Sequence, residues 1–113
     1  MRGDAECKEC AIEADRFYIG RLKEVVGDKQ GVRRRNDLAF VESETTVSRE
    51  HALIRYDAAS GRFRVSDSGS ARGTVVFRGG RRLETQRGSA GVLLKSGDEI
   101  HVGNARLKFT IDE

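Results

Sequence analysis

Thirteen glycines and not one proline constrain this 113-residue chain more than anything else in it. Glycines stand at 61, 69, 73, 79, 80, 88, 91, 97 and 103, which is a turn signal every few residues across the second half. Glycine reaches the backbone angles that tight turns demand. Between the turns lie short runs rich in Val, Ile, Leu, Phe and Tyr, and runs of that length bounded by turns read as strands. The pattern predicts an all-β sandwich of roughly ten to eleven mostly antiparallel strands.

Alternation orients several of these strands. Ala52, Ile54 and Tyr56 face one way along His51–Tyr56, and His51, Leu53 and Arg55 face the other. Phe63 and Val65 are the inward residues of Arg62–Ser66, and Phe17 and Ile19 share a face in Asp15–Arg21, a strand that Leu22–Val26 is read as continuing. Leu38–Val41 is a further strand, Thr74–Phe77 and Arg81–Thr85 form a hairpin about Gly79-Gly80, and Leu107, Phe109 and Ile111 are the inward face of the last strand. The reading assigns residues 15–113 to one domain, with one core, and residues 1–14 to an N-terminal extension holding Cys7-Lys8-Glu9-Cys10.

Charge then narrows the function classes. Twenty-one Lys and Arg against eighteen Asp and Glu leave +3. That is too little for a nucleic-acid binder relying on bulk electrostatics. The Arg33-Arg34-Arg35 run has no aromatic beside it and no recognition helix; it reads as a solvated loop or a rim drawing in acidic peptides. No apolar run approaches the ~20 residues of a spanning helix, so no membrane partner is expected. Met1–Cys7 has no apolar signal core, and two cysteines suit a reduced, cytoplasmic setting. The C-x-x-C lacks a second pair of zinc ligands, so it reads as two ordinary cysteines and no metal is expected. Ser48 and His51 lie three apart across a strand start with no third partner, and no phosphate-cradling glycine loop of the nucleotide-binding kinds occurs. The chain is therefore expected to be neither an enzyme nor a cofactor binder.

Sixteen of the basic residues are Arg, the side chain that grips phosphate or carboxylate with a planar, two-pronged fork. Polar clusters carrying Arg21, Ser48, Arg49 and Arg72 fall at strand ends. Loops at one end of a sandwich are neighbours in space, so these side chains can converge. Two or three guanidinium groups and a hydroxyl seat a dianion; each charge-assisted bond is worth roughly 1.5–3 kcal/mol, and three or four of them suit micromolar binding of a peptide, around −8 kcal/mol.

Four pieces in order, Gly20-Arg21, Ser48-Arg49-Glu50-His51, Asp67 to Thr74 (DSGSARGT) and Leu94 to Gly103 (LKSGDEIHVG), are spaced by one or two strands each. This string resembles the forkhead-associated (FHA) domain, a phosphothreonine-peptide-binding β-sandwich, over roughly residues 15 to 112. The resemblance implies that Arg21 and Ser48 hold the phosphate and that Arg49 lies on the phosphate or a neighbouring peptide group. It implies that Gly20, His51, Gly73 and Thr74 support the site, His51 by bracing its loop. It implies a phosphothreonine-containing protein as partner, downstream of a Ser/Thr kinase.

The sequence departs from the family at Arg72, where an Asn that holds the peptide backbone is usual. Arg has no acceptor and cannot copy an amide; it adds a second phosphate grip, favours acidic peptides, or marks lost selectivity. Val76-Phe77-Arg78-Gly79 likewise lacks a family Asn. Fourteen residues (22–35) separate Gly20-Arg21 from Asn36, a long gap that is expected to hold an extra turn or short hairpin centred on Gly27–Gly31. A phospho-independent association or oligomerisation scaffold remains the alternative reading.

Overall fold

The computed structural model describes residues 12, 15–21, 24–26, 32–40, 45–85 and 91–111, and for 24–26 and 32–34 the backbone only. The Cys7–Cys10 pair, Gly27–Gly31, Leu22 and Val41 lie outside the described residues. Of the extension, Ile12 is described and packs, partly buried, against the core.

Eleven strands are described: β1 (Arg16–Gly20), β2 (Glu24–Val26), β3 (Val32–Arg35), β4 (Leu38–Ala39), β5 (Ala52–Asp57), β6 (Arg62–Asp67), β7 (Thr74–Arg78), β8 (Arg81–Glu84), β9 (Val92–Leu93), β10 (Glu99–Val102) and β11 (Ala105–Lys108). They form a five-stranded sheet ordered β4-β1-β5-β6-β9, a four-stranded sheet ordered β11-β10-β7-β8, and a separate β2–β3 ribbon. The all-β sandwich expected from the turn pattern is what the chain forms.

The alternation places the core. Phe17 and Ile19 of β1, Ile54 of β5 and Val65 of β6 come from one sheet; Val76 of β7, Ile100 and Val102 of β10, and Ala105 of β11 come from the other. All join a single buried cluster with Leu38, Phe40, Val47, Leu94 and Phe109. Each large aliphatic side chain removed from water there contributes about 1.5–3 kcal/mol. Phe63 bridges Tyr56 and Phe109, with ring centroids 4.7 and 5.2 Å away. Gly79 and Gly80, with φ of 57° and 81°, close the β7–β8 hairpin as a two-residue turn whose twist matches its strands.

Three expectations need correction. Leu22–Val26 does not continue β1; its described part, Glu24–Val26, is β2 and pairs antiparallel with β3. The cause is topological: β1 pairs in parallel with β4, Ile19 opposite Leu38, and a parallel pair needs a crossover between its strands. The β2–β3 ribbon sits in that crossover, which accounts for the length of the gap, and it takes Arg33–Arg35 into a strand instead of a loop. Ile111 is 40% exposed, not inward. Pairing of β11 with β10 runs only to Lys108 opposite Glu99, so alternation no longer dictates facing beyond Phe109; the Ile111 N–H instead donates to the Ser96 hydroxyl at 2.9 Å.

Candidate functional site

Strand register decides where the polar clusters meet. Ile19 of β1 stands opposite Ala52 of β5, and Ala52 stands opposite Asp67 of β6. The end of β1, the start of β5 and the end of β6 therefore share one edge of the sandwich. The 68–73 loop crosses from that edge to β7 in the other sheet. Gly20-Arg21, the turn 45–51 and the loop 68–73 are brought together as the sequence predicted.

Hydrogen bonds lock the three segments to one another. The Arg21 N–H donates to the Ser48 carbonyl at 2.9 Å, and the His51 N–H donates to the Ile19 carbonyl at 3.0 Å. The Ala71 N–H donates to the Ser48 hydroxyl at 3.0 Å, tying the 68–73 loop to the serine beside Arg21. His51 is fully buried. Its Nδ1 accepts from the Ser48 N–H at 3.0 Å, and its Nε2 lies 2.9 Å from the Gly73 carbonyl. An N–H on one side and a carbonyl on the other fix a tautomer with the proton on Nε2. The ring thus spans two loops, and both of its nitrogens are engaged by backbone. It cannot activate the Ser48 hydroxyl, which rules out this pair as a nucleophile and base.

Gly20 is required by close approach. A Cβ there would lie 1.9 Å from the Arg49 carbonyl oxygen and 2.4 Å from Nδ2 of Asn36. Nδ2 of Asn36, itself buried, donates to that same carbonyl at 2.8 Å. Asn36 is a supporting residue that sequence reasoning missed. The Asn-Asp step after a basic strand gave no sign of a partner thirteen residues on.

Asp67 was missed as well. Its carboxylate accepts from the Gly69 N–H (2.8 Å), the Ser70 N–H (2.8 Å), the Thr74 hydroxyl (2.8 Å) and the Ser70 hydroxyl. The Ser70 hydroxyl in turn accepts from the Gly73 N–H at 2.8 Å. Burial works to raise the carboxyl, but these donors outweigh it and hold the group below the usual aspartate value. Thr74 is 1% exposed and serves this network, not solvent. The Asp-Ser-Gly-Ser string is the signal that would have found it, because Asp before such a turn bonds the backbone two and three residues on.

The residues expected from the sequence to hold a ligand differ from these supports. Arg49 and Arg72 are exposed, Arg21 and Ser48 are half-buried, and none of the three arginines forms an ion pair with a described residue. Nε of Arg21 is buried without a hydrogen-bond partner among the described residues. The Ser48 hydroxyl accepts from Ala71 and retains its own proton to give. The segments tied together at this edge therefore carry three arginines, and the Ser48 hydroxyl among them is held in place by the Ala71 N–H. Among the described residues no three His, Cys, Asp or Glu side chains could hold a metal ion, and no helix is long and apolar enough to cross a membrane.

Comparison with known proteins bears on this edge. The family model described as FHA domain matches residues 17–103. Proteins named oxoglutarate dehydrogenase inhibitor from Corynebacterium diphtheriae and Corynebacterium glutamicum are 42% and 39% identical to this chain over 66 residues, 58% of this chain. The matched segment spans 39% of each of those relatives. Among solved structures, EmbR of Mycobacterium tuberculosis in complex with a low-affinity phosphopeptide is similar at a TM-score of 0.59 and 26% identity, covering 88% of this chain and 21% of that one. A domain studied for phosphothreonine-dependent FHA interactions shares the fold at a TM-score of 0.58 and 22% identity, covering 90% of this chain and 82% of that one.

Proposed function

We propose a function from the premise that this chain belongs to the FHA-domain family, which the match over residues 17–103 establishes. Its role is non-catalytic recognition of phosphothreonine in partner proteins, in signalling downstream of a Ser/Thr kinase in the cytoplasm. The guanidinium of Arg21 and the hydroxyl of Ser48 hold the phosphate, Arg49 and Arg72 flank it, and Gly20, His51, Gly73 and Thr74 keep the loops in register.

The observation that carries this reading is the unpartnered, buried Nε of Arg21 beside a serine pinned from three sides. A buried donor without an acceptor costs about 1–3 kcal/mol, more on a charged group, and a bound oxyanion removes that penalty. Phosphothreonine carries up to two negative charges and three acceptor oxygens; threonine carries neither. The relatives named as inhibitors of oxoglutarate dehydrogenase, and EmbR with its bound phosphopeptide, support a role in binding proteins.

The test is calorimetric titration of a phosphothreonine peptide library against its unphosphorylated twin. Micromolar binding confined to the phosphorylated members supports the reading. Equal binding of both sets defeats it and favours the phospho-independent scaffold.

A further inference from the structure

The outer face of the five-stranded sheet carries arginines that the phosphate loops do not use. Arg16 of β1 stands directly opposite Arg55 of β5, and Arg55 stands directly opposite Arg64 of β6. All three are exposed, as is Arg62, which shares the face with Arg64 by the two-residue period of a strand. Strands lie about 4.8 Å apart, so the row of three spans roughly 10 Å. Like charges placed directly opposite on a sheet are destabilising.

No described ion pair joins the row; the nearest described carboxylate on this face, Asp57, stands opposite Arg62 and two residues along β5 from Arg55, one acid against four arginines. Arg16 and Arg55 make no side-chain hydrogen bond or ion pair with a described residue, and Arg64 has one long contact, 3.4 Å to the Gly91 carbonyl. Arg55, Arg62 and Arg64 also line an open groove of about 740 Å³ at the β5–β6 hairpin. The carboxylate in that groove, Asp57, is engaged by the Ala59 N–H at 3.1 Å and the Ser60 hydroxyl at 3.0 Å. Beside the arginine row runs a second row of Tyr18, Leu53 and Ser66, all half-buried.

We propose that this face docks an acidic, extended polypeptide segment of a partner protein, at a site separate from the phosphate loops and independent of phosphorylation. Alternate side chains of an extended segment recur every ~6.7 Å, the spacing of Arg62 and Arg64 along β6. The guanidinium fork pairs with a carboxylate through two parallel bonds. The Tyr18–Leu53 row adds the aromatic and apolar contact typical of protein interfaces, where Arg and Tyr are enriched. A net charge of +3 argues against nucleic acid as the occupant. Arg16 opens β1 and Arg21 follows its end, roughly 17 Å apart at 3.3 Å per residue, so one ligand group does not serve both.

The experiment measures binding of fluorescent decaglutamate, a short DNA duplex and phosphatidylserine vesicles to the full chain, with melting curves for each variant. The expected result is that decaglutamate binds the parent, binds the Arg55→Thr/Arg64→Thr double variant at least about tenfold more weakly, and binds Arg21→Ala as it binds the parent. The double variant keeps its phosphopeptide binding and melts no lower than the parent, because the substitution removes a repulsion and adds β-branched residues. The proposal fails if the parent ignores decaglutamate, if the double variant binds it equally, or if Arg21→Ala abolishes it. It fails too if DNA or vesicles bind more tightly through the same arginines, or if the double variant melts several degrees lower.

Discussion

The two ends of β7 use polar residues in opposite ways. At its start, Thr74 is locked into the Asp67 network beside Arg21, Arg49 and Arg72, which have no described carboxylate partner. At its end, Arg78 is consumed by the fold: Nε donates to Asp98 at 2.9 Å, and one terminal nitrogen donates to Asp98 and to the Leu93 carbonyl, each at 2.8 Å. Asp98 is 1% exposed and also accepts from the Lys95 N–H at 2.8 Å. The Arg78 bonds, aided by that N–H, outweigh burial and hold the Asp98 carboxyl below its usual range. The same residue type is a structural clamp where a buried acid faces it, as at Arg78, and has no described carboxylate partner at Arg21, Arg49 and Arg72. Charge pairing, not residue identity, separates the two ends.

The sharpest way to break the comparison is at the structural end. Asp98→Ala strands the part-buried Arg78 guanidinium and the Lys95 N–H, and a loss of about 3–5 kcal/mol in unfolding free energy is expected by denaturant titration. Phosphopeptide affinity of the fraction that stays folded should match the parent; a selective loss of affinity would mean that the two ends are not independent. His51→Ala comes next. It leaves the Ser48 N–H and the Gly73 carbonyl without their ring partner and opens a void, for roughly 2–4 kcal/mol in stability and weaker peptide binding together.

At the proposed binding end the effects are expected on affinity alone. Arg21→Ala should weaken phosphopeptide binding by about 10–100-fold, one to two charge-assisted bonds, with a melting temperature within ~2 °C of the parent. Parent-like affinity would remove Arg21 from the site. Arg72→Asn is smaller still: a few-fold change confined to peptides with acidic residues beside the phosphothreonine, since the exposed guanidinium contributes under about 1 kcal/mol. An equal change for every peptide would make Arg72 a phosphate ligand instead.

Both carboxylates predict the acid limb of stability. Asp67 and Asp98 are depressed in the folded state, so their contributions are complete above the ordinary aspartate value and are lost as pH falls through the lower folded values. The contribution of these two carboxylates to unfolding free energy should be flat from neutrality to about pH 5 and decline below about pH 4. Asp67→Asn should flatten that decline, and an unaltered acid limb in the variant would show that the 67–74 network does not titrate with folding.

Legibility in the sequence followed the range of each interaction. Strand positions, the Gly79-Gly80 hairpin and the inward faces of β5 and β6 rest on two-residue alternation and local turn chemistry, which a single segment carries by itself. The bracing role of His51 was inferred from resemblance, and the geometry supplies its cause in two backbone bonds spanning twenty-two residues at their widest. Asn36, Asp67 and the Arg78–Asp98 clamp went unassigned because each depends on a partner brought near by strand register. The short hairpin expected in the 22–35 gap is present as β2–β3, but Leu22–Val26 was misread as continuing β1 and Ile111 as inward, since alternation says which faces a strand has but not where pairing stops.

The order of turns and apolar runs determined an all-β chain with polar clusters at strand ends, because period and turn chemistry are properties of short segments. Only the tertiary structure decided which arginines are spent on buried acids and which have no carboxylate partner among the described residues. That choice depends on distances between groups far apart in the chain, and those distances exist only once Ile19, Ala52 and Asp67 lie side by side.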